Sequence, residues 1–481
     1  MRLLPPRVLL LTGPVALAFF SGGYDDRPRL VALAAAAVAL AALAVLTPST
    51  RALPLLPSGW GPRTALGGLI GLAAWVALSH RWSPVKDAAA DDAERVTLYA
   101  TALVCAALAW RERAAARWVE LAGAAGAFAA IGYGLLGRLL PGVVREHASV
   151  SAGGRLEQPL TYWNAEGALA AVGFVLCARI TGDRSRPVAV RALAAAAAVP
   201  LAAGTYLSFS RGALVALAAG VVVLLVLAPT WTQLRAIAIC AEAGAGGTLA
   251  AVVFPGVREL SGSLGHRELE GAIALAGLLL MMGGAAALLA WAASAEAAGR
   301  TRMGRLPLPG WAPYAATAIV VALVAVPVAV ARSSDGPSPS FGATSARLTS
   351  ASSNRYDYWK VAARAFEHHP VRGLGSGGFR TAWLRERPIG ERVRDAHSLE
   401  LETLAELGLV GALLLACLAG GIGWCARIVQ REDPALAAGA AAALVVFGVH
   451  SAVDWDWEMP AVTLPVLALA GMLVAQSAHH E

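Results

Sequence analysis

Lysine is nearly absent from this chain: Lys86 and Lys360 are the only two in 481 residues, and arginine carries almost all of the positive charge. That bias, with the abundance of alanine, follows high-GC codon usage, and no function is read from it. Charge of either sign is scarce, at 15% of residues, against 57% hydrophobic residues and a mean hydropathy of +0.60. A soluble globular domain carries about 25% charged residues, so this balance excludes one. The five cysteines, Cys105, Cys177, Cys240, Cys417 and Cys425, lie in or at the ends of apolar runs, with neither CxxC spacing nor a histidine neighbour. Disulfide and zinc chemistry are therefore not expected. No stretch between the apolar runs leaves room for a soluble domain of ordinary size.

What is present is a series of apolar runs, many of them about 20 residues long, the length that crosses a bilayer as helix. They fall near 8–21, 30–47, 65–79, 96–110, 118–140, 165–180, 192–209, 212–228, 236–254, 271–292, 313–331, 398–424, 435–453 and 461–477. The expected fold is therefore all-α, a polytopic transmembrane bundle of about fourteen spans. Arg2 and Arg7 before a short apolar stretch also fit a signal peptide; without a clear cleavage motif, a first span is preferred.

Arginine in short loops marks the cytoplasmic side. Arg111, Arg113 and Arg117 fall in one alternate loop, Arg179, Arg184, Arg186 and Arg191 in a second, Arg300, Arg302 and Arg305 in a third, Arg427 and Arg431 in a fourth. They agree, placing both termini in the cytoplasm of a multi-pass plasma (inner) membrane protein. The organisation expected is spans 1 to 11 over 1–331, an exoplasmic loop domain over 332–396, and spans 12 to 14 over 397–481. That loop is expected to be the only long one. It holds eleven basic against six acidic residues, an excess that asks for an anionic partner on the outer face or for anionic lipid headgroups.

Three residues stand out. Arg211 is the only charged side chain between Ala192 and Leu227, a run too long for one crossing. The chain must turn back, with Ser210 as helix N-cap, and Arg211 then sits at the exoplasmic mouth of two helices, as a functional cation or as a snorkelling anchor. Next, SSNRYDYWKVAARAFEHHP reads as an amphipathic helix stopped by Pro370, with Trp359, Ala362, Ala363 and Phe366 on one face. Arg355 falls on that apolar face near the positive end of the helix dipole, and so answers to a ligand anion or to a buried carboxylate. The GxGxxG at Gly373, Gly375 and Gly378 follows no strand, so a flexible turn is expected rather than a nucleotide site. Finally, Asp395 reads as the N-cap of the last long span, which puts His397 in its first turn. There the dipole disfavours imidazolium, leaving a neutral base beside an anion site, or a histidine that only satisfies an interfacial hydrogen bond. His368 and His369 are adjacent and cannot form the HxxxH pair of a zinc helix; His479 and His480 read as a polar tail.

In order and spacing, SRG at 210–212, Arg355 with Trp359, HPVRGLGSGGF at 369–379, and His397-Ser398 followed by GLVG at 408–411 resemble the O-antigen ligase and O-antigen polymerase superfamily. GRLEQPLTYWNAEG at 154–167 is similar to the loop before the sixth span in that family. The resemblance implies a membrane glycosyltransferase that moves a glycan from an undecaprenyl pyrophosphate carrier to a hydroxyl acceptor at the outer face. It implies inverting chemistry with no metal or cofactor, Arg211 and Arg355 on the pyrophosphate, and His397 activating the acceptor. The expected partners are that lipid-linked donor, the acceptor and membrane lipids, with no nucleic acid. Val215 stands where the ligase pattern has leucine, so ligase and polymerase both stay open. A lipid-linked glycan flippase or other transporter is the rival from another class; it should place charge along a path and show repeat symmetry, which the sequence lacks.

Overall fold

The computed structural model describes residues 3–47, 57–144, 149–332, 342–343 and 353–478. They are helical, with no strand beyond an isolated bridge between Thr230 and Arg305. Each expected span falls on a helix: α1 Leu4–Ala18, α2 Asp26–Leu46, α3 Trp60–Ser79, α4 Lys86–Ala109, α5 Arg113–Leu139, α6 Trp163–Gly182, α7 Val188–Leu207, α8 Arg211–Leu227, α9 Trp231–Val252, α11 Leu264–Ala297, α12 Ala312–Arg332, α15 Leu399–Glu432, α16 Pro434–Ser451 and α17 Pro460–Ser477. The short α10 Pro255–Arg258, α13 Arg355–His368 and α14 Phe379–Glu386 lie between them. Among the described residues, ten helices are long and apolar enough to cross a bilayer. Of the others, α1 and α8 are shorter, and α4 carries Asp91, Asp92, Glu94 and Arg95 before its apolar half. Ser338, Arg347, His479 and His480 lie outside the described residues.

Helices α6 and α17 are buried almost throughout, and alanine and glycine let their neighbours come close. The α3–α15 contact shows how close: a Cβ on Gly421 would sit 2.3 Å from the Ala65 backbone nitrogen. At the periphery, α2 and α11 expose Val31, Val38, Val45, Ile273 and Leu280. Such apolar faces fit a lipid surround rather than water.

The two ends of the bundle differ. At one, the arginine-rich loops gather: Arg117 bonds Ser185, Arg184 meets Glu296 at 3.7 Å, and Arg113 meets Asp433 at 2.6 Å. The start of α1 and the end of α17 are there too, since Arg7 donates to the Ala109 carbonyl and Gln476 to those of Trp110 and Arg111. The other end holds α13, α14 and the α1–α2, α5–α6, α7–α8 and α16–α17 connections. The α5–α6 connection, residues 140–162, is a second long loop, so 332–396 is not the only one; it folds inward, with Leu156 and Leu160 fully buried.

Three local expectations are corrected. The buried face of α13 is Tyr358, Val361, Ala362 and Ala365, and Ala363 points outward. Tyr358 sets this rotation: its ring lies edge-on to Trp383 at 4.9 Å, and its hydroxyl donates to Glu391 at 2.7 Å. Second, α15 begins at Leu399 with Ser398, not Asp395, as N-cap, the Ser398 hydroxyl accepting from the Leu401 N–H. His397 thus stands one residue before the N-cap, outside the helix, with φ of 55°. Third, the glycine turn is pinned rather than flexible. It docks where α15 breaks at Gly408 (φ 64°), with Leu409 N–H donating to Pro370 and Leu374 N–H to Ala405. Gly373 is left-handed, and a Cβ there would fall 2.2 Å from the Glu406 carbonyl carbon. The N–H groups of Gly377 and Phe379 both donate to the Glu406 carboxyl at 2.8 Å, so the turn is tied to a side chain of α15.

Candidate functional site

At the loop-rich end a cavity of about 800 Å³ opens between the connections. Arg211, Arg355 and His397, chosen far apart in sequence, all line it. Each is held by its local fold. The Ser210 hydroxyl caps α8 by accepting from the Ala213 N–H at 3.2 Å, which fixes Arg211 in the first turn as expected. Behind that cap, His450 Nε2 lies 3.2 Å from the Ser210 oxygen, and its Nδ1 is bonded to Asp456. The constellation has the members of a hydrolase triad, but Ser210 is buried and engaged as a cap, so it is read as a support for the SRG turn.

Arg355 is the first residue of α13, and its partner is the second of the two alternatives, a buried carboxylate. Its Nη2 lies 2.5 Å from Asp454, which also accepts from the Tyr162 hydroxyl at 2.6 Å. Asn164 donates to that hydroxyl in turn. Burial alone would raise the Asp454 carboxyl, but Arg355, the nearby histidines and Tyr162 hold it below the usual carboxylate range. The Arg355 guanidinium is correspondingly pushed up, Asp454 outweighing its burial. About a quarter of its side chain, 23%, stays open to the cavity.

The Nδ1 of His397 lies 3.0 Å from the Asp395 carbonyl. A carbonyl oxygen only accepts, so the proton sits on Nδ1 and Nε2 is the basic nitrogen. The ring packs beside Tyr358 and edge-on to Trp455. Burial lowers the imidazole below its usual value; the Asp454 carboxylate opposes this and Arg355 reinforces it. Neutrality at pH 7 therefore has a source other than the helix dipole first invoked, because His397 stands outside the helix.

The cavity wall contains residues not singled out from sequence. Arg155 lies over the Trp163 ring at 3.6 Å while donating to the Ala152 and Ser151 carbonyls. Arg394 donates to Tyr24, and Arg392 also lines the space. Asp454 and Trp455 come from HSAVDWDWEMP, residues 450–460, where three acids and two tryptophans crowd a short link between apolar helices. That density of charge was the available signal.

Beneath the wall, Asp395, Glu402 and Glu458 bring carboxylate oxygens within 4.8 Å of one another, the one grouping among the described residues able to offer three oxygens to a cation. Arg95 already binds Glu458, and also Asp92 at 2.5 Å. Burial pushes Asp395 up to about 6 and Glu458 up to about 8, so near neutral pH Glu458 keeps a proton while Asp395 stays largely ionised and is balanced by Arg95. The Ala396 N–H donates to Glu402, which ties this group to the loop carrying His397.

Residues 195–416 match the family model described as O-antigen ligase. The chain thus carries an O-antigen ligase family domain over residues 195–416. The matched region runs from α7 into α15 and contains Arg211, Arg355 and His397; Tyr162 and Asp454 lie outside it. No curated protein sequence matches the chain. The family domain makes this an O-antigen ligase or polymerase type of multi-pass membrane protein.

Proposed function

We propose that this protein is a membrane glycosyltransferase that transfers a glycan from undecaprenyl pyrophosphate to a hydroxyl acceptor at the outer face of the plasma membrane. The observation that carries this reading is the convergence of Arg211, Arg355 and His397 on one open cavity. Undecaprenyl pyrophosphate is already a good leaving group, so the reaction needs little beyond charge stabilisation and one base. The acceptor oxygen attacks the anomeric carbon and gives its proton to His397 Nε2. The bond from that carbon to the pyrophosphate oxygen breaks, inverting the centre, and the pyrophosphate leaves as an anion. Arg211 and the cavity-facing part of Arg355 take up the developing charge, and Asp454 holds the guanidinium fork in place. The arginine-rich end of the bundle is assigned to the cytoplasm, which puts the cavity outside.

Ligase and polymerase share this chemistry and differ in the acceptor. The transporter reading gains nothing from the fold: α6, at the centre, carries only apolar side chains from Ala168 to Ala178, so no charged path follows it. Purified protein given a lipid-linked oligosaccharide and candidate acceptors should release free undecaprenyl pyrophosphate. Release with chain growth identifies a polymerase, and release with capping of a different acceptor identifies a ligase. Translocation of the donor across proteoliposomes without release would overturn the transferase reading.

A further inference from the structure

A second cavity, of about 340 Å³, lies at the other end of α13 from the first. Helix α13 runs from Arg355, in the reaction cavity, to His368, in this one, about 20 Å along its axis. The wall is basic and aromatic: Trp82, His368, His369, Arg372 and Arg385, with Glu386 as the only acid. Glu386 is taken by Arg364 at 2.9 Å. Among the described residues, neither Arg372 nor Arg385 has an ion-pair partner; Arg372 lies over the Trp82 ring at 5.7 Å. The indole N–H of Trp82 is buried and has no acceptor among the described residues. Such a donor calls for one.

The pocket's surroundings say what kind of acceptor. Trp82 packs against Trp75 at 5.3 Å, and the Trp75 N–H donates to the Leu407 carbonyl, one residue before α15 breaks and starts its apolar run. Paired tryptophans at that depth mark a membrane interface. Val371 and Leu384, flanking the basic residues, and Leu409 and Leu413, on the first lipid-facing turns of α15, are all exposed. An anion here would have apolar chains beneath it.

We propose that this pocket binds the phosphate of an anionic lipid headgroup, with Arg372 and Arg385 as charged donors, the Trp82 N–H as the third, and the acyl or prenyl chain lying along Leu409 and Leu413. The phosphate could belong to a bulk phospholipid or to a carrier lipid; the chemistry is shared. The site does not rest on the transfer reading, because its test reads binding, not turnover.

The test is native mass spectrometry of the delipidated full-length protein, titrated with phosphatidylglycerol, with phosphatidylcholine and, in a separate arm, with undecaprenyl phosphate. The wild type should retain phosphatidylglycerol in preference to phosphatidylcholine. Removing one interfacial arginine should weaken that binding about fivefold, and Arg372→Gln with Arg385→Gln about thirtyfold. The paired lysine variant should stay close to wild type, as the charge is kept. If undecaprenyl phosphate, and not phosphatidylglycerol, shows the same dependence on the arginines, the lipid is the carrier and the phosphate site stands. Equal affinity of wild type and the double glutamine variant for both anionic lipids would overturn it, as would no preference for either over phosphatidylcholine. Should the double variant fail to accumulate, Trp82→Phe, which removes the indole donor, must weaken binding by itself; unchanged binding there overturns the proposal equally.

Discussion

Replacing His397 with glycine separates its chemistry from its place in the fold. His397 has φ of 55°, a left-handed conformation that costs a non-glycine residue about 1–2 kcal/mol. Glycine relieves that strain but gives up the ring contacts with Tyr358 and Trp455, at about 0.5–1.5 kcal/mol each. The Nδ1 hydrogen bond to the Asp395 carbonyl, about 1 kcal/mol, is lost as well, so the variant should be about 1–2 kcal/mol less stable than wild type. Loss of a general base removes about 10²- to 10⁴-fold in rate, equivalent to about 3 to 5 kcal/mol of barrier. The assay is release of undecaprenyl pyrophosphate against pH, beside thermal unfolding in the same detergent. Under the proposed mechanism the active form is the neutral imidazole, whose pKa burial holds below the usual 6.5. Wild-type kcat/KM should therefore rise with pH through a value below 6.5 and stay flat through neutrality. The variant should lose both the rate and this acid limb, and added imidazole should restore part of the rate. Turnover within about threefold of wild type, with the acid limb intact, would show that the base lies elsewhere.

Asp454→Asn removes the charge that opposes burial at His397, so the acid limb should move to lower pH; leaving Arg355 without its partner should also destabilise the protein by about 3 kcal/mol, seen as a lower Tm. Arg211→Lys and Arg355→Lys keep the charge and lose the fork; each should cut kcat/KM at least about tenfold with normal accumulation, and full activity in both Arg355→Lys and Arg355→Ala would reduce Arg355 to an anchor. For the orientation, Gly390 is exposed with no atom near its added Cβ. A cysteine there, in a protein otherwise lacking cysteine, should react with an impermeant maleimide in intact cells, and labelling only after lysis would reverse the topology.

The helices were legible because the hydrocarbon core sets one length scale and the sequence obeys it. Arg211 was legible for a related reason: one cation in an apolar run must go to an end, and Ser210 with Gly212 marks where that end lies. The register of α13 was not. Counting hydrophobic residues favoured Phe366, while the fold chose Tyr358, whose buried hydroxyl finds Glu391. Amphipathic periodicity ranks side chains by apolarity and takes no account of a tyrosine with a satisfied oxygen. The start of α15 failed similarly, since Asp395 and Ser398 are both good N-caps and sequence alone does not rank them. The Asp395 side chain instead joins Glu402 and Glu458 in the carboxylate group.

The residue hardest to find was Asp454, and the reason bears on how the site works. Its contacts with Arg355 and Tyr162 span 99 and 292 residues of sequence, and both Asp454 and Tyr162 lie outside the matched family region. A short-range motif cannot encode such a pairing. Yet without Asp454 the position of Arg355 would be hard to account for: a guanidinium at the positive end of α13, in a cavity lined by four further arginines. The buried carboxylate offsets that repulsion and fixes one edge of the fork, and it does so from a loop joining two membrane helices. The charge balance of the cavity is thus shared between the family domain and the last two spans. Under the proposed mechanism a donor pyrophosphate would compete with Asp454 for Arg355, so the pair would also be where tight substrate binding and rapid product release are balanced.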